Sequence, residues 1–218
     1  MTLEHRSVRE NLVKATLKLM EKGGLESVKA RAVAEITGVS VGTIYNLFGN
    51  FDRLILSANS KIYEELAVLG QERMARIEND IKRRIGAGKL ADTPRNRMLE
   101  RLCGLGETYV DFVAANASRW SALLAFNRTR GISDNEENQQ QLEVLIEIIA
   151  KVLNEAPAWN SPAKRRLAGR ALWSAVHGIV TTNYFGGDEK TARERTSALL
   201  RLLLTAVVDG AFVEATAG

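Results

Sequence analysis

Helix breakers are sparse in this chain, and this feature most restricts its possible folds. Prolines occur only at Pro94, Pro157 and Pro162, and glycines stand in small groups such as Gly23-Gly24. Between these breakers apolar residues recur with the 3.6-residue period of a helix, as in the series Val8, Leu12, Ala15 and Leu19. No segment shows sustained alternation of apolar and polar residues with β-branched enrichment. The chain is therefore predicted to be all-α.

The spacing of the breakers also predicts how the helices are organised. Helices are expected near residues 4–22, 28–37, 40–47, 51–84, 94–115, 117–130, 135–155, 161–185 and 188–214. Three helices joined by very short turns precede a long fourth helix. We therefore place a domain boundary near residue 50, which gives a small domain at 1–50 and a larger helical domain at 51–218.

Composition narrows the classes of function. With 30 Lys and Arg against 26 Asp and Glu, the net charge is only +4, so a claim of nucleic-acid binding needs a motif. One cysteine and two histidines are too few for a disulfide framework or a zinc site, and we expect no metal and no cofactor. The sequence predicts neither a secretion signal nor a membrane span, so we expect a cytoplasmic protein with no membrane partner.

Catalysis finds little support in the sequence. Cys103 has no histidine near it in sequence, no serine stands in a nucleophile-elbow setting, and no glycine loop is typical of a phosphate cradle. A catalytic constellation would have to be assembled entirely by the fold. We therefore expect no catalytic residues and no enzyme.

The segment from Arg31 to Phe48, RAVAEITGVSVGTIYNLF, carries the most information. Gly38 stands where a helix must stop, at a position where a positive φ is cheap only for glycine. Ser40 can cap the helix that follows. A small core of Val33, Ala34, Val39 and Ile44 can then join the two helices. The pattern predicts a helix-turn-helix.

In this geometry the second helix is offered outward, while Ile44 and Phe48 hold the core. Short polar side chains, a glycine that permits close approach and a phenol are typical of a helix that enters the major groove. Arg31 can reach a guanine edge or a phosphate, and Lys29 can neutralise backbone charge. The outward set is Ser40, Val41, Gly42, Thr43, Tyr45 and Asn46. Spacing alone leaves open a plain helical corner without DNA contacts.

The order AxxxGVSxGTIYxxF, from Ala34 to Phe48, resembles the DNA-binding domain of the TetR family of transcriptional regulators. The resemblance implies an all-α homodimer that binds double-stranded operator DNA and a larger C-terminal domain that binds a small-molecule effector. The positions that would touch DNA are Arg31, Val41, Gly42, Thr43, Tyr45 and Asn46, with Lys29 where a phosphate contact is often made.

One position departs from the family pattern. Many members carry a lysine shortly after the YxxF element, at the start of the fourth helix, where this chain has Phe51. A usual phosphate anchor is therefore missing. Asn50 or Arg53 is the candidate replacement.

The last two predicted helices carry the expectation of a homodimer. The helix around Leu167 to Phe185 is rich in small residues, and the terminal helix is apolar on more than one face, so it needs cover on two sides. A four-helix bundle with a second copy would supply that cover; a buried helix in a monomer is the alternative. The expected interface residues are Ala171, Ala175, Leu199, Leu203 and Val207.

Aromatic residues in the larger domain suggest an effector pocket. The candidates are Tyr109, Phe112, Trp120, Phe126, Trp173, His177 and Tyr184. The plainer interpretation is that aromatic residues at helical spacing form the core. The run Trp173-xxx-His177-Gly178 is also similar to the Trp-His-Gly (WHG) element of one C-terminal subgroup of the family.

Together these features predict a ligand-responsive transcriptional regulator, a repressor that binds a palindromic operator as a homodimer. An apolar or amphipathic effector is expected to release it from DNA. The alternative is a helical interaction protein that keeps the helix-turn-helix without effector control. The least favoured alternative is an enzyme.

Overall fold

The computed structural model of the protein describes residues 3–130, 136–183 and 188–213. All regular structure in these ranges is helical, which confirms the all-α prediction. The α-helices of these ranges are α1 (Leu3–Gly23), α2 (Ala30–Thr37), α3 (Val41–Phe48), α4 (Phe51–Gly86), α5 (Pro94–Ala115), α6 (Ala117–Arg130), α7 (Glu136–Val152), α8 (Pro162–Asn183) and α9 (Glu189–Phe212). Within them, no helix is long and apolar enough to cross a membrane.

One predicted helix is shorter than expected. The helix predicted over 135–155 ends at Val152, and two short 3-10 helices follow at Leu153–Glu155 and Pro157–Trp159. Ala156 between them is extended, with φ −81° and ψ 124°. The ring of a following proline disfavours the α conformation, so Pro157 breaks the helix at this point.

By packing, the chain divides into two compact units. The first unit holds the chain up to Glu65 together with Val113–Leu142, and the second holds Leu66–Phe112 and the chain from Glu143 onward. In the first unit α6 packs against α1 and against the 3-10 turn at Leu25–Ser27. Packing therefore does not divide the chain at residue 50. The functional division into 1–50 and 51–218 stays a prediction.

Each unit has its own apolar core. In the first unit the core joins the first four helices, through Leu12, Ala15, Val33, Ala34, Ile44, Phe48 and Leu54. In the second unit the core joins α5, α8 and α9 with the turn after α7; its members include Met98, Leu102, Leu153, Leu172, Leu204 and Val208. The helix-turn-helix segment is thus held by α1 and the start of α4.

Candidate nucleic-acid interface

The turn between α2 and α3 has the geometry that the sequence predicts. Gly38 ends α2 with φ 70° and ψ 18°, and its N–H donates to the carbonyls of Ala34 and Glu35. The Val39 N–H also donates to the Ala34 carbonyl, at 3.2 Å. A residue with a Cβ is strained at this φ, so the glycine fixes the corner between the two helices.

Ser40 caps α3, as predicted. Its Oγ accepts a hydrogen bond from the Thr43 N–H at 3.1 Å and lies 2.9 Å from the Thr43 hydroxyl. The first N–H groups of a helix lack partners within the helix and favour an anionic group such as phosphate. Ser40 therefore satisfies one of these N–H groups, and a phosphate contact at this end of α3 stays a prediction.

The predicted contact residues of α3 differ in their exposure to solvent. Gly42, Tyr45 and Asn46 are exposed, and 46% of Tyr45 is accessible to solvent although it is a large aromatic residue. Thr43 is half-buried. Val41 is half-buried too, and its side chain packs against the core of the first unit. Val41 therefore shares its surface between the core and the outward face.

The two predicted basic contacts stand at the start of α2. Lys29 is the N-cap residue of α2 through its extended backbone, with φ −118° and ψ 142°, and its side chain makes no capping bond. Arg31 lies in the first turn of α2, and both residues are exposed. Both cationic side chains are therefore accessible to a partner, and their contacts with phosphate oxygens or a base edge stay predictions.

The start of α4 explains how the chain uses Asn50 and Phe51. The Asn50 Oδ1 accepts a hydrogen bond from the Arg53 N–H at 2.9 Å, so Asn50 caps α4. Phe51 is half-buried and packs against the core of the first unit. Arg53 is exposed. Phe51 thus contributes apolar packing where a lysine would contribute charge, and Arg53 is the exposed cation of this turn.

Arg9 of α1 is a residue that sequence reasoning missed. Its guanidinium lies 4.0 Å from the centre of the Phe48 ring and donates a 2.6 Å hydrogen bond to the Leu47 carbonyl at the end of α3. A cation at a helix C-terminus is favourable. Arg9 could have been identified from the sequence because it lies three residues before Leu12, within the apolar stripe of α1. Arg9 ties α3 to α1.

The aromatic candidates for an effector pocket are distributed over both compact units. Trp120 and Phe126 are buried in the first unit, where Trp120 meets the Tyr63 ring edge-on at 5.9 Å between centroids. Helical periodicity does not reveal which neighbour a buried face meets, so the pocket role of these two residues stays a prediction. Tyr184 lies outside the described residues. Phe112 is buried in the second unit.

Three of the candidates do form a cluster in the second unit. The Tyr109 hydroxyl lies 2.8 Å from His177 Nδ1, within hydrogen-bonding distance. The Trp173 ring stacks on His177 at 5.5 Å between centroids and lies tilted by 37° against Tyr109 at 5.3 Å. Burial lowers the pKa of His177 from its usual 6.5, so the imidazole is neutral at physiological pH.

A cavity lies beside this cluster, entirely within the second unit. Its walls come from α4, α5, α7, α8 and α9, and both Tyr109 and Trp173 belong to them. Its volume is about 70 Å³. The remaining lining residues are Leu66, Gly70, Leu102, Leu105, Gly106, Thr108, Leu145, Ile148, Ile149, Leu172, Val176 and Leu204.

The expected interface residues of α8 and α9 differ in exposure. Ala171 and Ala175 are exposed, whereas Leu199, Leu203 and Val207 are half-buried in their own unit. The large apolar side chains that stand out are two others: 71% of Leu167 on α8 and 70% of Leu202 on α9 are accessible. The unpartnered apolar face of α9 is thus centred on Leu202.

Side chains suited to metal binding or nucleophilic chemistry are scarce in the described ranges. These ranges contain no group of three or more His, Cys, Asp or Glu residues that could hold a metal ion. Burial raises the pKa of the Cys103 thiol to about 11. This thiol is therefore protonated, and unreactive, at neutral pH.

Comparison with known proteins agrees with the geometry of the first unit. Residues 12–58 match the family model described as bacterial regulatory proteins, tetR family, and residues 102–207 match the tetracyclin repressor-like C-terminal domain. The HTH-type transcriptional repressor KstR of Rhodococcus jostii (strain RHA1) is 31% identical over 159 residues, which cover 69% of this chain and 72% of that protein. KstR of Mycolicibacterium smegmatis is 31% identical over 163 residues, covering 71% and 77% respectively.

Solved structures share the fold at lower identity. A transcriptional regulator from Rhodococcus sp. RHA1 superposes with a TM-score of 0.61 at 19% identity, covering 94% of this chain and 98% of its own. A TetR transcriptional regulator from the same source gives 0.59 at 15% identity, covering 98% and 100%. From the family models and the KstR relatives, the chain belongs to the TetR family of bacterial transcriptional regulators, which bind DNA and are not enzymes.

Proposed function

We propose that the protein is a homodimeric transcriptional repressor that binds a palindromic operator through α3 and leaves it when a small apolar effector binds the second unit. The observation that carries the proposal is the outward face of α3. There α3 carries a capped start, Gly42 and the exposed ring of Tyr45, and Arg31 is exposed on the preceding helix α2. The name of the KstR relatives, transcriptional repressors, supports repression over activation.

The exposed apolar face of α8 and α9 supports the homodimer. Leu167, Ala171 and Ala175 recur four residues apart on α8, and Leu202 stands out from α9. Large apolar side chains exposed in this way are typical of a contact with a second protein. In a two-fold dimer the two α3 helices would enter successive major grooves about 34 to 36 Å apart, which requires a palindromic operator.

The cavity beside Tyr109 and Trp173 supports effector control. A ligand that prefers one arrangement of the dimer changes operator affinity by its difference in affinity for the two arrangements, about 1 to 3 kcal/mol in typical cases. Trp173, His177 and Gly178 lie on α8, which also lines this cavity. That the C-terminal domain belongs to the Trp-His-Gly subgroup remains a hypothesis.

The test begins by selecting bound duplexes from a random-sequence DNA pool, after which fluorescence anisotropy gives affinities for the selected site and for unrelated DNA. We assign the Tyr45 hydroxyl to the phosphate backbone and Arg31 to a base edge, so Tyr45→Ala should weaken binding to both DNAs. Arg31→Ala should cost about 1 to 3 kcal/mol and relax selection at one base pair per half-site. Arg76→Ala, an exposed arginine of the second unit, is the control for loss of one positive charge.

Three results would count against the proposal. A selection that yields no enriched palindrome contradicts operator binding and favours the interaction protein, to which the missing lysine at Phe51 lends some support. Equal losses in Arg31→Ala and Arg76→Ala contradict the assignment of Arg31 to a base edge. A stable monomer in sedimentation at micromolar concentration contradicts the dimer.

A further inference from the structure

Ile36 is a large apolar side chain that the core of the first unit does not use. The residues that α2 buries are Val33 and Ala34, whereas 49% of Ile36 is accessible to solvent. Among the large apolar residues that the structure describes in the first unit, only Tyr45 is also exposed, and Tyr45 is assigned to DNA. A single exposed apolar side chain does not by itself indicate a partner. The surroundings of Ile36 decide whether it does.

Ile36 lines a groove between α1 and the C-terminal end of α2, entirely within the first unit. The Thr37 hydroxyl in this groove donates to the Val33 carbonyl at 2.8 Å, so its proton is already used within α2. The other lining residues come from α1 and are Asn11, Lys14, Ala15 and Lys18. The groove thus combines one exposed apolar side chain with two cations and no carboxylate.

The two positive charges of the groove have no counter-charge. Among the described residues, neither Lys14 nor Lys18 forms an ion pair. The carboxylate one helical turn before Lys14 belongs to Glu10, which pairs with Arg6 at 3.4 Å. Because residues four apart on a helix share a face, the two lysines stand side by side, about 6 Å apart along the axis of α1. A partner with two carboxylates at that spacing would match them.

This combination fits a segment of protein better than it fits DNA. A duplex offers mainly phosphate oxygens to a basic surface, which match the lysines but not the hydrocarbon of Ile36. A peptide can offer carboxylates to Lys14 and Lys18 and, from the same segment, an apolar side chain to Ile36. Apolar contacts at the centre with complementary charges around them are typical of protein–protein interfaces.

We infer that this groove docks an acidic segment of a second protein, with one large apolar side chain against Ile36 and carboxylates at Lys14 and Lys18. Carboxylates about 6 Å apart correspond to residues four apart in a helix or two apart in a strand. None of the residues assigned to DNA lines the groove, so the two partners use different side chains. The inference therefore does not rest on the proposed function.

The experiment selects binders from a phage-displayed library of random peptides of about 12 residues, a length that covers the common peptide-recognition modes. The library is first depleted on the Ile36→Ser variant, which removes peptides that bind other surfaces. It is then selected on the full-length parent protein at low salt and without DNA. We expect the enriched peptides to carry at least two acidic residues within about four positions of a leucine, isoleucine, phenylalanine or tryptophan.

Fluorescence anisotropy with one enriched peptide then measures the contribution of each side chain. Ile36→Ser should weaken binding at least tenfold, since it removes the apolar contact, while its circular dichroism stays that of the parent. The double variant Lys14→Gln with Lys18→Gln should weaken binding about fivefold at low salt and less at high salt. Two controls should bind as the parent does. Val68→Ser changes a valine that is 46% exposed, and Lys22→Gln changes an exposed lysine of α1 outside the groove.

Several outcomes would overturn the inference. These are a selection that enriches no peptide, enriched peptides without acidic residues, and equal losses of peptide binding in the groove variants and their controls. A less steep salt dependence of operator affinity in the Lys14 and Lys18 double variant would place these lysines on DNA instead, which also overturns it. The peptide measurements use no DNA, so a failure of the proposed operator binding leaves their outcome unchanged.

Discussion

Arg9→Gln should loosen the recognition helix α3 without touching any residue assigned to DNA. The guanidinium of Arg9 donates a 2.6 Å hydrogen bond to the Leu47 carbonyl and lies 4.0 Å from the centre of the Phe48 ring. Phe48 is buried in the core of the first unit, and Leu47 belongs to the last turn of α3. The perturbation therefore acts on the C-terminal end of the helix, away from its capped start.

The expected magnitude follows from these two contacts. A hydrogen bond from a charged donor contributes about 1.5 to 3 kcal/mol, and a cation over an aromatic ring contributes about 0.5 to 1 kcal/mol near the surface. These contributions overlap, and water can replace part of the bond to the carbonyl. We expect a loss of about 2 kcal/mol in the free energy that keeps the end of α3 closed. This corresponds to a factor of about 30 in the opening equilibrium.

Native-state hydrogen exchange measures that opening directly. The Gly49 amide, which donates to the Tyr45 carbonyl at 2.8 Å, should lose protection about 30-fold in Arg9→Gln. The matched control is Arg6→Gln, which removes the same charge from α1. Arg6 forms only an exposed pair with Glu10, at 3.4 Å, so the control should change protection less than twofold. Equal protection in the two variants would refute the assigned role of Arg9.

Three further perturbations test other parts of the molecule. Leu202→Glu should separate the proposed dimer in sedimentation while leaving its circular dichroism unchanged, because 70% of this side chain is exposed and each buried copy would contribute about 1.5 to 3 kcal/mol to the interface. Val68→Glu, at another exposed apolar residue, should leave the sedimentation mass of the dimer unchanged. Equal sedimentation masses for the two variants would contradict the placement of the interface. Burial lowers the pKa of His177 from 6.5, so the unfolded chain binds the proton first, and the free energy of unfolding should decline as the pH falls below about 6.5. Urea unfolding at about pH 8 and pH 5 should show a smaller decline in His177→Gln, and an equal decline would assign the effect to other groups. Phe51→Lys should steepen the dependence of operator affinity on salt by about 2 in the log–log slope of a dimer, since one phosphate is neutralised per half-site. Phe51→Leu should leave that slope unchanged, and a parent-like slope in Phe51→Lys would show that no phosphate lies near this turn.

The helix-turn-helix could be predicted because its signals are local. The positive φ of Gly38 and the cap formed by Ser40 each depend on a few neighbouring residues, and both appear in the structure as the sequence indicates. The core positions Val33 and Ile44 follow from the 3.6-residue period of two adjacent helices. Here local preference and tertiary packing point to one geometry.

The aromatic residues of the longer helices could not be placed in this way. Trp120 and Trp173 both stand on helices at apolar positions, yet Trp120 is fully buried in the first unit and Trp173 lines the cavity of the second. A helical period shows that one face is covered, but it does not identify the covering helix. The grouping of α6 with α1 depends on contacts between residues more than 90 positions apart.

For the terminal helix α9, the sequence also could not show which face is buried and which is exposed. Leu202, Leu203 and Leu204 are consecutive, so they point in directions about 100° apart around α9. Leu204 is buried, Leu203 is half-buried and Leu202 is exposed. When a helix is apolar on all sides, its sequence does not show which of these leucines is buried. The sequence therefore predicts that a second face needs cover, and only the packing of the second unit shows which face it is.

Arg9 and Phe51 together change how affinity for DNA should be divided in this protein. A lysine at position 51 would add a phosphate contact, whereas Phe51 packs against the core that also holds α3. The guanidinium of Arg9 donates to the Leu47 carbonyl within the first unit. Both residues thus serve the placement of α3 instead of the attraction to phosphate. Because placement acts on contacts to base edges and charge acts on every DNA sequence alike, this arrangement favours discrimination between sequences over non-specific affinity.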